Sequence, residues 1–345
     1  MTFYQELQLN QAGSKALIRE AQGHKEKLKH IAIYLFKIFI TIAFCMTFVI
    51  AYSQFFGNAN SIVGVVVLLF VLVFRNVDLS LKTSHALPSL IAIFMILAFG
   101  PRLSNASNAF IELLINIICI FLLMFLGCYD VKMFNHSTLV LGYLLLYGYD
   151  VSGFLYIQRL EGLAIGAIIT GLIYYRNHRQ KAHTLKLAHF FESFNLQSDR
   201  TRWQLSLTIA ISSMLFIARL IHLPRPMWAG IAIMSIITPF PVGQKEKAKN
   251  RILGNIFGAL LVFLIYKYCP DFMYNNIGIL SGIGIGLSAT YGFQCIFNAF
   301  GAITTAATIL GFPAALFFRI FNNILGAVYG LTFNKYFHRL INKIV

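Results

Sequence analysis

Long apolar runs punctuated by short polar stretches recur from one end of the chain to the other. In the first half they cover Ile31–Tyr52, Ser61–Phe74, Leu87–Phe99, Ala109–Cys128, Ser137–Tyr149 and Val151–Tyr175. After a basic stretch they resume as Trp203–Ile221, Met227–Phe240, Ile252–Tyr268, Ile277–Tyr291, Phe293–Leu310 and Pro313–Phe333. A helix needs about 20 predominantly apolar residues to cross the bilayer hydrocarbon, so the pattern predicts an all-α membrane protein of about twelve transmembrane helices. The shorter runs must borrow flanking residues or break near the midplane. The expected organisation is a cytoplasmic N-terminal segment over residues 1–30, a six-helix repeat over 31–175, a linker over 176–202, a second six-helix repeat over 203–334 and a cytoplasmic tail over 335–345. The linker sets Leu185, Leu187, Phe190, Phe191, Phe194 and Leu196 among basic residues. This suits either an amphipathic helix on the inner membrane surface or a solvated connector.

Comparing the halves points to duplication. Arg159 stands seven residues before Gly166-Ala167, and Arg319 seven before Gly326-Ala327. Thr41-Ile-Ala43 pairs with Thr208-Ile-Ala210, and Gly64–Phe74 with Gly230–Phe240, in the same order. Six spans per repeat return the chain to its starting side, so the repeats are expected to run parallel about an axis along the membrane normal.

Composition agrees with a bilayer as solvent: 58% of the 345 residues are hydrophobic and 12% charged. The formal net charge of +16 is spread between apolar runs rather than gathered on a polar domain, which argues against nucleic acid as partner and for topology. With the amino terminus inside, 22 of the 28 Lys and Arg fall on or near the cytoplasmic side. Both termini are therefore expected inside, in a multi-pass cell inner (plasma) membrane protein. Residues 1–30 are polar and lack the pattern of a cleaved signal. The five cysteines stand singly, without metal-ligand spacing, and no P-loop, HExxH, GxSxG or dinucleotide fingerprint occurs. No enzyme activity, metal or cofactor is expected.

In the second half, Trp228, Pro239, Arg251-Ile-Leu-Gly254-Asn-Ile-Phe-Gly258-Ala259, Arg319 and Gly326 follow in an order that resembles the fusaric acid resistance and aromatic acid exporter family. The resemblance covers roughly residues 202–334; the first half lacks the tryptophan and the R-x-x-G step. It implies an inner-membrane exporter of aromatic carboxylic acids or related anions, driven by protons. It also implies a distant similarity to plant anion channels whose pore lies between two six-helix bundles. A long cytosolic domain after either half, as in larger family members, is not expected.

A charge near the bilayer centre costs at least about 2.5–3.5 kcal/mol, so intramembrane charges face a cavity or a partner. Arg159 and Arg319 are expected at equivalent depth near the symmetry axis, where two guanidinium groups could clamp a carboxylate. Their alternative role is to tie helices to carbonyls or to an acid. Trp228 and Phe297 could stack on an aromatic substrate, and Asn322 could line its path. Glu161, Asp150 and Glu112 are candidate proton carriers. Arg251, by resemblance, would draw anions to the inner mouth. The leading expectation is a secondary exporter of an organic anion with its path between the repeats. A passive anion channel using the same pore is the second, and a membrane component of an envelope assembly partnered by a periplasmic adaptor is the third.

Overall fold

The computed structural model describes residues 2–181, 183–240 and 242–344; Met1, Ala182, Pro241 and Val345, which fall in the expected segments, lie outside the described residues. Among the described residues the regular structure is helical. Its α-helices are α1 (Phe3–Leu7), α2 (Gln11–Glu20), α3 (His24–Phe56), α4 (Ser61–Phe74), α5 (Thr83–Ala106), α6 (Ala109–Gly127), α7 (His136–Gly148) and α8 (Phe154–His178). They continue with α9 (Ala188–Glu192), α10 (Asp199–Leu220), α11 (Met227–Ile236), α12 (Gln244–Tyr268), α13 (Asp271–Asn275), α14 (Ile277–Leu287), α15 (Tyr291–Leu310) and α16 (Phe312–Ile344).

Each expected apolar run overlaps a helix, but the twelve runs are not equal. Among the described residues, eight helices are long and apolar enough to cross a membrane: α3, α5, α6, α8, α10, α12, α15 and α16. The runs on α4, α7, α11 and α14 form helices of 14, 13, 10 and 11 residues. At 1.5 Å per residue these measure about 15–21 Å, short of the ~30 Å hydrocarbon core. The end of α11 shows why: Thr238 precedes Pro239, whose ring keeps the preceding residue out of the helical region. Beyond Ile236 the freed polar groups find other partners. Trp203 Nε1 donates to the Ile237 carbonyl at 3.0 Å, and Thr238 Oγ1 to that of Phe240 at 2.8 Å.

Packing divides the chain into two compact units, Met1–Thr47 with Lys249–Asn323, and Phe48–Ala248 with Ile324–Val345. These do not follow the sequence halves. In the first unit, α3 lies against α14: Tyr34 donates its hydroxyl to the Gly286 carbonyl at 2.8 Å, and Gly282 and Gly286 face Ile42 and Ile38. The stretch 1–30 is more than a polar lead. Glu6 on α1 meets His30 at 2.7 Å, and Lys37 donates to the Leu9 carbonyl at 3.1 Å and to Ser14 at 2.5 Å, folding α1 and α2 back on α3.

In the second unit α6 packs on α5 and α10, while α8 packs on α4 and α5. Phe70, Ile93, Ile120, Tyr143 and Trp228 are fully buried there. Gln204 of α10 donates to the Met124 and Cys128 carbonyls at the end of α6, both at 3.1 Å. The two Gly-Ala steps found by sequence comparison have similar surroundings. A Cβ on Gly166 would collide with Val67 of α4, and one on Gly326 with the Ala229 carbonyl of α11. Each glycine therefore allows a close helix crossing.

The linker is pinned at two places. Only α9 in its interior is helical, and Phe190 is buried with its ring stacked on Tyr129 at 4.4 Å, while Phe191 approaches Phe125 at 4.8 Å. Upstream, the loop after α4 carries Asp78, 2% exposed, which accepts from Lys181 Nζ at 2.7 Å, contacts His183 Nε2 at 3.2 Å and takes the Ser80 N–H at 2.8 Å. The Lys82 N–H donates to the Leu185 carbonyl at 2.9 Å, adding a backbone link beside this ion cluster.

Burial pushes the Asp78 carboxyl up, but the Lys181 and Ser80 hydrogen bonds and the charges of His183 and Lys181 outweigh it and hold it below the ordinary carboxylate value. Its stabilising contribution is thus complete above the unfolded-state pKa of about 3.9 and is lost as pH falls through the lower folded value. Melting curves of detergent-solubilised protein should show a fall in midpoint below about pH 4 that Asp78→Asn reduces. At neutral pH, Lys181→Met should cost about 1–3 kcal/mol, because it strips a hydrogen bond from a buried carboxylate.

Candidate functional site

The first unit concentrates its buried polar groups where α12, α15 and α16 meet. On α12, Arg251 and Asn255 share one face, four residues apart, and Gly254 and Gly258 share another. The glycines let α12 come close to α15. A Cβ on Gly254 would stand 2.6 Å from Cys295 Cβ and 2.8 Å from the Gly292 carbonyl, and one on Gly258 would stand 2.5 Å from the Ile296 carbonyl. Each glycine thus meets backbone of α15, which no side-chain adjustment could move aside for a larger residue. The close approach sets Arg251 beside α15 and α16. Its Nε donates to Asn323 Oδ1 at 3.0 Å and its Nη1 to the Tyr291 hydroxyl at 3.0 Å.

The amides are themselves oriented by backbone. Asn323 Nδ2 donates to the Arg319 carbonyl at 2.7 Å, which turns its oxygen toward Arg251, and Asn255 Nδ2 donates to the Arg251 carbonyl at 2.9 Å. Arg251 and Arg319 are 7% and 5% exposed. Asn322 and Asn323 are fully buried. From Lys249 to Asn323 the single acidic residue is Asp271, which belongs to α13, so the segments of α12, α14, α15 and α16 in this unit bring no carboxylate. The Arg251 guanidinium is thus set among amides and a phenol.

The remaining expected residues have different surroundings. Arg159 lies in the second unit, 2% exposed, with its donors directed to Asn60 Oδ1 at 3.1 Å, the Leu146 carbonyl at 3.4 Å and the Tyr149 carbonyl at 2.5 Å. Asn60 is held in turn by the Phe56 and Leu155 carbonyls. This guanidinium ties the end of α7 and the start of α4 to α8, as in the alternative role open to it from sequence. Trp228 is a core residue of α11, 1% exposed. Phe297 is half-buried on α15, its ring against Gly284 and 5.4 Å from that of Phe300. Arg251, expected at an inner mouth, is embedded among helices.

The three carboxylates separate clearly. Glu161 is exposed on α8, and Asp150 is exposed and ion-paired to Arg102 at 2.6 Å. Glu112 is 0% exposed within α6; it accepts the Tyr147 hydroxyl at 2.5 Å and stands 3.6 Å from Arg219 Nε. One turn along, Asn116 Oδ1 accepts from Tyr143 at 2.7 Å and from Ser104 at 3.0 Å. Tyr143 and Tyr147 escape a reading that looks for charges in apolar runs. Their i,i+4 spacing on α7, matched to that of Glu112 and Asn116 on α6, is the signal that could have found them.

Eight helices long and apolar enough to cross a membrane, among the described residues, mark a multi-pass membrane protein. Residues 209–333 match the family described as fusaric acid resistance protein-like. The matched segment contains Trp228, Arg251, Gly254, Gly258, Arg319, Asn322 and Asn323. No curated protein and no solved structure matches the chain.

Replacing Gly254 by leucine should destabilise the protein by about 1–3 kcal/mol or abolish its folding, because the Gly292 carbonyl cannot move aside. Gly278→Ala, where an added Cβ meets nothing within 4 Å, should melt like the parent in a detergent thermal-shift assay.

Proposed function

We propose that the protein is a secondary exporter that moves an organic anion, of the aromatic carboxylate class, out across the inner membrane. The observation that carries this reading is the pair Arg251 and Arg319, both buried and linked through Asn323, which bonds to the Arg251 guanidinium and to the Arg319 carbonyl, on helices that contribute no carboxylate to their unit. Such a site favours a carboxylate or similar anion as its occupant, with the Asn322 and Asn323 amides and the Tyr291 hydroxyl supplying neutral polar neighbours. The family match suggests a membrane transporter or exporter rather than an enzyme. Phe297, on α15 with Tyr291 and Cys295, is proposed to contact the aromatic part of the substrate, and Trp228 to act by fixing the packing of α11.

Proton drive is proposed to enter through Glu112, the buried carboxylate among the three candidates, with Arg219 beside it and Tyr147 bonded to it. Two parallel repeats, both termini inside and a path between the repeats belong to this proposal as well, supported by the repeated Arg…Gly-Ala steps and the Lys/Arg distribution. A passive anion channel uses the same cationic site and is the second reading. A periplasmic adaptor as partner is compatible with an exporter.

Uptake of a radiolabelled aromatic acid into inverted vesicles separates these readings. Arg251→Gln and Arg319→Gln should each lower flux per folded protein by at least about tenfold, as expected when one partner of a buried charge contact is lost. Arg159→Gln should lower protein abundance and melting temperature while leaving the flux of the folded fraction near that of the parent. Glu112→Gln should remove the dependence of accumulation on an imposed pH gradient. Flux unaffected by both Arg251→Gln and Arg319→Gln would end the anion-site reading, and steady unitary currents independent of a pH gradient would replace exporter with channel.

A further inference from the structure

The second unit also carries an apolar groove. Helices α5 and α8 leave between them a groove of about 830 Å³ whose lining side chains are apolar except for Tyr175. Ala98, Ala164, Ala167 and Gly171 keep it open with small side chains, and a Cβ added to Gly171 would meet nothing within 4 Å. Met95, Ile168 and Leu172 line it while remaining more than half exposed, so the groove is open along its side.

The two ends differ. Tyr175 lies at one end, with the Arg179 guanidinium 5.9 Å from its ring centroid. Arg75, Lys82, Arg176 and Arg179 are all exposed at this end of α4, α5 and α8. Residues 75–82 and 175–187 include one acid, Asp78, which is buried and bound to Lys181. An apolar channel with an uncovered basic mouth matches a molecule that has a hydrocarbon chain and an anionic head. From Tyr175 to Ala164 the rise along α8 is about 16 Å, close to half of the ~30 Å hydrocarbon core, which is the depth one acyl chain of a leaflet occupies.

We propose that this groove seats one acyl chain of an anionic phospholipid whose phosphate rests at Arg176 and Arg179. The groove is then a specific lipid site and not only part of the general lipid-facing surface, because the basic mouth selects the head while the recess between α5 and α8 retains the chain. The inference needs no assumption about which solute the protein carries.

The test uses the full chain purified in detergent, equilibrated with mixed micelles holding equal phosphatidylglycerol and phosphatidylcholine, then freed of excess lipid and weighed by native mass spectrometry. About one phosphatidylglycerol per chain should remain, enriched over phosphatidylcholine on the order of tenfold, as expected for two arginines near an anionic head. Gly171→Leu, introduced where an added Cβ meets open space, should reduce that retention severalfold at an unchanged melting temperature. Ala164→Leu fills the same groove independently, and Arg176→Gln with Arg179→Gln should remove the preference for the anionic head. Equal retention of the two lipids by the parent would overturn the proposal. So would retention unchanged in both groove-filling variants, or a lipid-free dimer that those variants dissociate.

Discussion

A guanidinium inside a lipid-facing helix bundle has to be solvated by the protein, and much of this structure follows from how that is done. Arg251 is served by an asparagine oxygen and a phenol, each supplied by a different helix. Two other features follow from this arrangement. Gly254 and Gly258 are needed so that α12 can come within reach of α15, and Asn323 must direct its own N–H to a backbone carbonyl so that its oxygen points the right way. The motif is therefore a set of parts serving one charge. A larger residue at either glycine, or a different polarity at Asn323, would leave that charge in a medium where water cannot compensate it.

The first half carries an arginine that is solvated in a different way. Arg159 occupies the same place before a Gly-Ala step as Arg319, yet its donors fasten helix ends, with Asn60 as a second clasp. Arg159 is thus bound to carbonyls of the second unit, while Arg319 is buried in the first unit with its carbonyl bonded by Asn323. The same separation appears among the acids, where Glu161 is exposed and Glu112 is buried on α6, itself packed against α5, α7 and α10. Sequence depth alone cannot distinguish such cases. The direction of the side chain relative to its neighbours decides them.

The helices are largely legible in the sequence because apolar periods and their polar breaks are local. Ser61–Phe74 is the expected run and the observed helix alike. Met227–Phe240 extends beyond α11 because the run stays largely apolar through Ile237, while Pro239 draws Thr238 out of the helical region and halts the helix early. The compact units are not legible, because the neighbour of α3 is α14, and no periodic pattern reports contacts across such a distance in the chain. The cationic cluster is half legible. Arg251 stands out by the family resemblance, and Arg319, Asn322 and Asn323 as polar groups in an apolar run, whereas the pairing of Arg251 with Tyr291 and Asn323 is set only once α12, α15 and α16 meet.

The packing of α3 on α14 also bears on how the chain is made. Tyr34 and the Gly286 carbonyl that it binds are 252 positions apart. At ~5–20 residues per second, a ribosome needs roughly 13–50 s to pass from one to the other. Throughout that interval the first long helix has left the ribosome without its eventual neighbour, and its docking surface must be shielded by lipid or by the insertion machinery. Assembly of this unit is therefore tied to the completion of synthesis, and a chain cut short before α14 would strand its opening helix.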